Sequence, residues 1–330
     1  MSHGVVLVHE CPVCSSAART PVLGRGQERF DLVRCDRCGL VHTLGHHPPV
    51  LLDAGYGVRA ATHDDVDRER KQRSIALYDR LTGGAVRHPQ AGGHALDLGC
   101  NTGLLLDELA ARGWVTHGVE RSPGARAIAE RHHTIFDLDL EQDDAEVPGH
   151  RHYGLVTITH VLEHMRKPVT VARFIAHHLE DDGFAIIEVP NWDDAARPLW
   201  GKRYRPLELG DHICFFDRDS LRAVLEQGGL QVHTMWSQPQ GATTVMASVL
   251  TAADAVRARL PRRRGAAVEA ASADSGATAA RSGREHRAPG GLRGGVLRAL
   301  DVLDPVLERI AGPDARWGAN LVAIATRPIH

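Results

Sequence analysis

Ala95-Leu96-Asp97-Leu98-Gly99-Cys100-Asn101-Thr102-Gly103 is the stretch on which the reading of this chain turns. It reads as an apolar strand running into a glycine-studded turn, and from Leu104 apolar residues recur at helical spacing. A second strand, Val115-Thr116-His117-Gly118-Val119, ends at Glu120, and Val161-Leu162-Glu163-His164 follows a later one. A glycine turn after a strand lets bare backbone approach a ligand, and a carboxylate at the next strand tip can accept from both ribose hydroxyls. The turn lacks the middle glycine of the dinucleotide fingerprint, so the three elements in order, not the glycines alone, indicate a nucleoside pocket.

Outward from this stretch the pattern alternates. Strands are expected at 94–99, 114–119, 134–138, 154–159, 183–189 and 230–236, with helices at 103–112, 123–131, 168–179 and 218–228. Such alternation predicts a doubly wound, parallel α/β sheet. A further helix is expected over 66–81, after a Pro-, Gly- and His-rich connector at 46–64. Residues 261–291, rich in Arg, Ala, Gly and Ser, offer little apolar area to offset ordering and are expected to be disordered, with Arg262-Arg263-Arg264 solvated. Helical periodicity returns over Leu292–Ile310, and Asn320–Ala325 reads as a last strand.

With 330 residues the chain has length for about two domains. The formal net charge of -2 gives no basic excess to hold a phosphate backbone, which argues against nucleic acid as a partner. No run of 18 apolar residues is present, and Met1–Val8 lacks the basic start and apolar centre of a signal peptide. A cytoplasmic protein without a membrane partner is the expectation.

Four of the six cysteines form two Cys-x-x-Cys pairs, Cys11/Cys14 and Cys35/Cys38. This is zinc-ribbon spacing, in which two turns each donate two thiolates to a tetrahedral ion. Gly39 suits the left-handed residue that closes such a knuckle, and Arg29–Arg34 alternates like a hairpin strand. A module of about 45 residues has too little core to fold alone, and four cysteines close the coordination sphere, so a structural Zn2+ is expected at 1–45. His42, His46 and His47 are expected at the surface.

The Asp97–Gly103 motif, Glu120, and Tyr153–Val156 leading into Val161–Met165, followed by His212-x-x-Phe215-Phe216 before Ser220–Glu226, resemble the class I S-adenosylmethionine-dependent methyltransferases. The resemblance covers residues 93–245. It implies a Rossmann-like seven-stranded sheet ending in an antiparallel strand, with residues 242–316 inserted before that strand inside a domain spanning 93–330. It also implies S-adenosyl-L-methionine as cofactor. Asp97 would orient the methionine end, Gly99, Cys100, Asn101 and Gly103 would form the turn, and Glu120 would hold the ribose. Asp139, in competition with Asp137, would hold the adenine amino group beside Leu140, with His160 also lining the pocket. Tyr153-Gly154 departs from the Phe-Asp usual in this family and removes one supporting carboxylate. Together with the zinc knuckles, the core looks like that of sugar C-methyltransferases and related natural-product or polysaccharide enzymes.

Methyl transfer from a sulfonium needs an aligned acceptor and, for a weakly basic nucleophile, a proton acceptor. His212 is the first candidate for that base and His164 the second; a turn-capping role for Glu163-His164 and a buried structural role for His212 are the bland alternatives. Residues 190–216, with Trp192, Trp200, Tyr204 and His212, are the expected substrate cover, Tyr204 among the catalytic candidates. The acceptor would be a small hydroxylated molecule, such as a nucleotide-linked sugar. The competing readings are an RNA methyltransferase that grips RNA with the ribbon, and a noncatalytic scaffold of the same fold.

Overall fold

The computed structural model describes residues 6–23, 30–47, 65–87, 93–149, 152–194, 212–238 and 318–328, together with the single positions 89 and 197. Tyr204, Trp200, the 261–291 segment and the helix expected at Leu292–Ile310 lie outside the described residues.

A seven-stranded sheet forms the centre. Its strands are β5 (His94–Leu98), β6 (Val115–Val119), β7 (Thr134–Phe136), β8 (Tyr153–Thr159), β9 (Leu179–Pro190), β11 (Gln231–Gln238) and β12 (Asn320–Thr326), in spatial order β11-β12-β9-β8-β5-β6-β7. The β5–β9 pairings are parallel, and β12 inserts antiparallel between β9 and β11. The expected strands form with their ends within two residues, except that β9 begins at Leu179, directly from the preceding helix.

Among the described residues five α-helices accompany these strands: α1 (Asp65–Leu81), α2 (Leu104–Ala110), α3 (Pro123–Ala129), α4 (Pro168–His178) and α5 (Arg218–Gln227). α2 buries Leu105, Leu106 and Leu109, and α4 buries Val171, Ala172 and Ile175; both use the one-face spacing that a helix needs against a sheet. α5 is capped by Asp217, whose carboxylate accepts from Ser220 N (2.8 Å) while Asp217 N donates to Ser220 Oγ (3.0 Å). That reciprocal cap fixes where the chain leaves the preceding segment.

The amino-terminal region forms a second sheet from β1 (Val6–Val8), β2 (Arg19–Leu23), β3 (Phe30–Cys35) and β4 (Val41–His47), in order β1-β4-β3-β2. A fifth strand, β10 (Cys214–Phe215), comes from the other end of the sequence and pairs antiparallel with β4 through Cys214↔His42 and Phe215↔Val41. Val8, Cys11, Cys35 and Leu40 belong to the same buried cluster as Leu96, Ile158 and Phe216. The boundary expected at residue 45 therefore falls inside β4, and the ribbon shares its core with the large sheet. Contrary to its expected surface placement, His42 is 1% exposed, because the β4 edge that carries it is covered by β10.

Candidate active site

Strand order reverses between β5 and β8, and in open α/β sheets ligands bind beyond the carboxyl ends of the strands at such a point. Asp97 lies there, 2% exposed, accepting from Thr157 Oγ1 (2.7 Å). Burial lifts its carboxyl to about 6, against the pull of Lys71 and the Thr157 hydroxyl. The turn after β5 is left-handed at Gly99 (φ 73°), Asn101 (52°) and Gly103 (87°). A Cβ on Gly99 would collide with the Val161 side chain, so glycine is required there for space as well as for backbone angle.

Glu120 follows β6. Its Oε2 accepts from Asn101 N (2.9 Å) and its Oε1 from Ser122 N (2.7 Å), which ties the glycine turn to the second strand tip. Burial raises its pKa. Asn101 Oδ1 and Thr102 Oγ1, in the same turn, are buried without a hydrogen-bond partner. Cys100 behaves differently from its neighbours: its side chain is 4% exposed among Leu106, Ala129 and Ile135, so only its backbone is offered to the crevice.

The two candidate aspartates after β7 separate. Asp139 is tied to Arg121 (3.3 Å) and to Glu141 N (3.2 Å), whereas Asp137 is 57% exposed and paired with Arg126 (2.6 Å). Asp139 is thus the less exposed of the two, at 28% against 57%. Leu140 beside it is 5% exposed and part of the core.

Beyond β8 the chain turns sharply at His160, a non-glycine residue at φ 56°. His160 lies between two buried carboxylates, with Nδ1 3.5 Å from Glu163 Oε1 and Nε2 3.4 Å from Glu188 Oε1. Burial works against its charge, but the two carboxylates prevail and raise it to about 9, although its side chain remains 39% exposed. Glu188 in turn, despite burial, is lowered to about 2 by His160 and by hydrogen bonds. Tyr78 Oη and Asn320 Nδ2 both donate to Glu188, and Lys71 Nζ donates to Thr159 Oγ1 (3.3 Å). The sequence reading missed Glu188, Tyr78, Lys71 and Asn320. One signal was present: a lone glutamate in Ala185-Ile186-Ile187-Glu188-Val189, where a strand buried on both faces should be apolar throughout.

Leu162–His164 is a single 3₁₀ turn that buries Glu163 to 1% exposure. His212, 5% exposed, comes from the other side with Nε2 4.0 Å from Glu163 Oε1, and its ring meets that of His164 edge-on at 4.8 Å. The two segments are sewn together by Ile213 N donating to Glu163 O (2.9 Å). The ribbon supports the same segment: Thr43 N donates to Ile213 O (2.9 Å) and Thr43 Oγ1 to His212 O (3.4 Å). Both histidine candidates and Glu163 thus form one cluster on the edge that carries Asp97 and Glu120. Trp192 does not serve as the open stacking face expected of it. It is 3% exposed, set edge-on to Phe215 and capped by the Arg197 guanidinium 3.8 Å from its ring centroid.

In the ribbon, Cys11 Sγ lies 3.4 Å from Cys38 Sγ and Cys14 Sγ 3.5 Å from Cys35 Sγ, and all four sulfurs fall within 4.8 Å of one another. A tetrahedral zinc with bonds of about 2.3 Å needs sulfur separations of about 3.8 Å, so the donor set fits that ion. Burial opposes a Cys35 thiolate, but the N–H groups of Cys38 and Arg37 outweigh it and bring the thiol to about 7.

A family model described as a methyltransferase domain matches residues 66–235, from α1 to β11. The chain belongs to that family. The methyltransferase match takes in Asp97, Glu120, Glu163 and His212 but stops short of the ribbon. Similar proteins include ubiquinone biosynthesis O-methyltransferases from Marinobacter nauticus, 30% identical over 148 residues (37% of this chain, 62% of that one), and from Xanthomonas euvesicatoria, 30% identical over 181 residues (51% and 75%). The chain thus spans 62% of the Marinobacter relative's length. A solved S-adenosylmethionine-dependent methyltransferase from Archaeoglobus fulgidus shares 16% identity at a TM-score of 0.45, covering 78% of this chain and 94% of its own. No helix among the described residues is long and apolar enough to cross a membrane.

Proposed function

We propose that the protein transfers a methyl group from S-adenosylmethionine to a hydroxyl of a small molecule, and that a structural zinc in its ribbon keeps the acceptor side of the site assembled. The observation that carries this reading is the meeting, on one sheet edge, of a nucleoside crevice (Asp97, Gly99, Glu120) with a buried carboxylate–imidazole cluster (Glu163, His164, His212). The cofactor supplies an electrophilic methyl on a sulfonium. Asp97 holds the ammonium of its methionine end, the Gly99–Gly103 backbone passes close to it, Glu120 accepts from the ribose hydroxyls, and Asp139 holds the adenine amino group beside Leu140.

Activation of the acceptor means drawing off the proton of its hydroxyl. His212, backed by Glu163, is placed to take it, with His164 alongside. The O-methyltransferase names of the relatives favour oxygen over carbon as the methylated atom, and a nucleotide-linked sugar or natural-product intermediate remains within the acceptor class. Cys11, Cys14, Cys35 and Cys38 hold the zinc in a module that runs to the end of β4 at His47, followed by a connector and α1. The methyltransferase domain runs over 93–330, with 242–316 inserted before β12. No disulfide joins any of the six cysteines, which fits a reducing compartment such as the cytoplasm.

Titration calorimetry with S-adenosylhomocysteine tests the cofactor half: saturable heat at micromolar ligand is expected, and its absence would overturn the reading. Incubation with labelled cofactor and a panel of phenols, diols and sugar nucleotides, read by mass, tests the acceptor half through a product one methyl heavier.

A further inference from the structure

Glu163 combines two properties that rarely coexist. It is 1% exposed, and its Oε2 has no hydrogen-bond partner. A buried carboxylate oxygen left bare is costly unless something absent from the polypeptide completes it. Its other oxygen, Oε1, already faces His160 at 3.5 Å and His212 at 4.0 Å. One ligand atom each from Glu163, His164 and His212 lie within 4.8 Å of one another.

We infer that Glu163, His164 and His212 form a second metal site, for a borderline divalent cation such as Zn2+, whose open positions take the hydroxyl oxygens of the methyl acceptor. Two imidazoles and one carboxylate suit such a cation, and three protein ligands leave room for substrate oxygens, unlike the closed sphere of four cysteines. An ion ~2.1 Å from each donor needs donor separations of about 3.4 Å, which side-chain rotation of about an ångström supplies. The backbone is fixed for the purpose: Ile213 N on Glu163 O and Thr43 N on Ile213 O hold the two ligand-bearing segments together.

This inference rests on the methyl-transfer reading and changes where the acceptor's proton goes. The cation draws electron density from the hydroxyl oxygen, and the proton passes to bulk water instead of to His212. The oxygen then forms a bond to the methyl carbon as the carbon–sulfur bond breaks, its electron pair staying on sulfur as the neutral thioether of S-adenosylhomocysteine. An acceptor with two adjacent hydroxyls, filling two open positions, is the preferred class.

The test counts metal on the intact protein. After dialysis against micromolar Zn2+ and then metal-free buffer, elemental analysis is expected to find about two zinc ions per chain, one at each site. Glu163→Gln, His164→Asn and His212→Asn are each expected to hold about one, the ion of the four-cysteine ribbon, while binding S-adenosylhomocysteine as the parent does. Equal zinc content in the parent and all three variants would overturn the site. Should the parent fail to bind S-adenosylhomocysteine, the cofactor reading falls, and the zinc difference still decides the metal site by itself.

Discussion

The ribbon and the large sheet are held together by different means, and the difference shows which part of the site each one controls. In the sheet, β5, β8 and β12 are buried along nearly their whole length and β9 from Ala185 to Val189, and Leu96, Leu98, Leu155, Val156, Ile186, Ile187 and Val322 are at 0% exposure. Apolar burial of that extent, at about 25 cal/mol per Å2, needs no ligand. In the ribbon the fully buried apolar side chains are few, Leu32, Val33, Leu40 and Val41 among them, and two of its most buried residues are the thiols Cys11 and Cys35. Its sulfurs are placed to hold the zinc proposed above, and its β4 edge is paired with β10. The sheet fixes the cofactor end of the crevice, whereas the ribbon props the segment that carries His212.

The largest expected effect separates the two. With the proposed zinc in the ribbon, Cys35→Ser would remove one of its ligands and with it binding free energy of order 10 kcal/mol that folds the ribbon. Turnover is expected to fall by at least ~100-fold, the scale of losing a positioned proton acceptor, while S-adenosylhomocysteine binds to the sheet within about threefold of the parent; metal analysis and calorimetry read the two. Loss of both together would show that the regions fold as one unit. The converse change is Leu155→Ala on β8, expected to cost about 2–5 kcal/mol of stability in denaturant titration. Zinc content should survive conditions that already weaken cofactor binding.

A pH series sharpens the cofactor side. The Asp97 carboxyl stands at about 6 in the folded chain against an ordinary 3.8, because burial disfavours its charge. The folded state therefore holds that proton more tightly than the unfolded one, and the unliganded protein loses stability as pH rises from 3.8 toward 6. An ammonium-bearing ligand needs the ionised form. Affinity for S-adenosylhomocysteine should thus fall about tenfold per pH unit below about 6 and level off above it. In Asp97→Asn the slope should vanish; a slope that persists there would move the titrating group elsewhere.

The smallest effect tests the join. Thr43→Val keeps the backbone bond to Ile213 but deletes the hydroxyl that reaches His212 O, a loss of about 0.5–1.5 kcal/mol for one hydrogen bond. A few-fold drop in kcat is expected, with cofactor affinity unchanged. A drop confined to cofactor affinity would mean that the ribbon acts on the sheet and not on His212.

Chain-local physics made much of this protein legible before any fold was known. The Gly99–Gly103 turn, Glu120 at the next strand tip, and the Cys-x-x-Cys knuckles are features of a few consecutive residues, so their spacing alone carries the backbone angle or ligand geometry they impose. What lay beyond reach were encounters between distant segments. Glu163 and His212 stand 49 positions apart, and Thr43 and Ile213 170 apart. A two-residue strand such as β10 has no periodicity to announce it, yet it buries His42 and joins ribbon to site. Sequence determined the strands, the glycine turn and the cysteine knuckles because each is set by neighbouring φ, ψ and side-chain period. Only tertiary structure decided the Glu163–His164–His212 cluster and the polar cradle of Glu188, because burial and charge depend on which remote surfaces close over a residue.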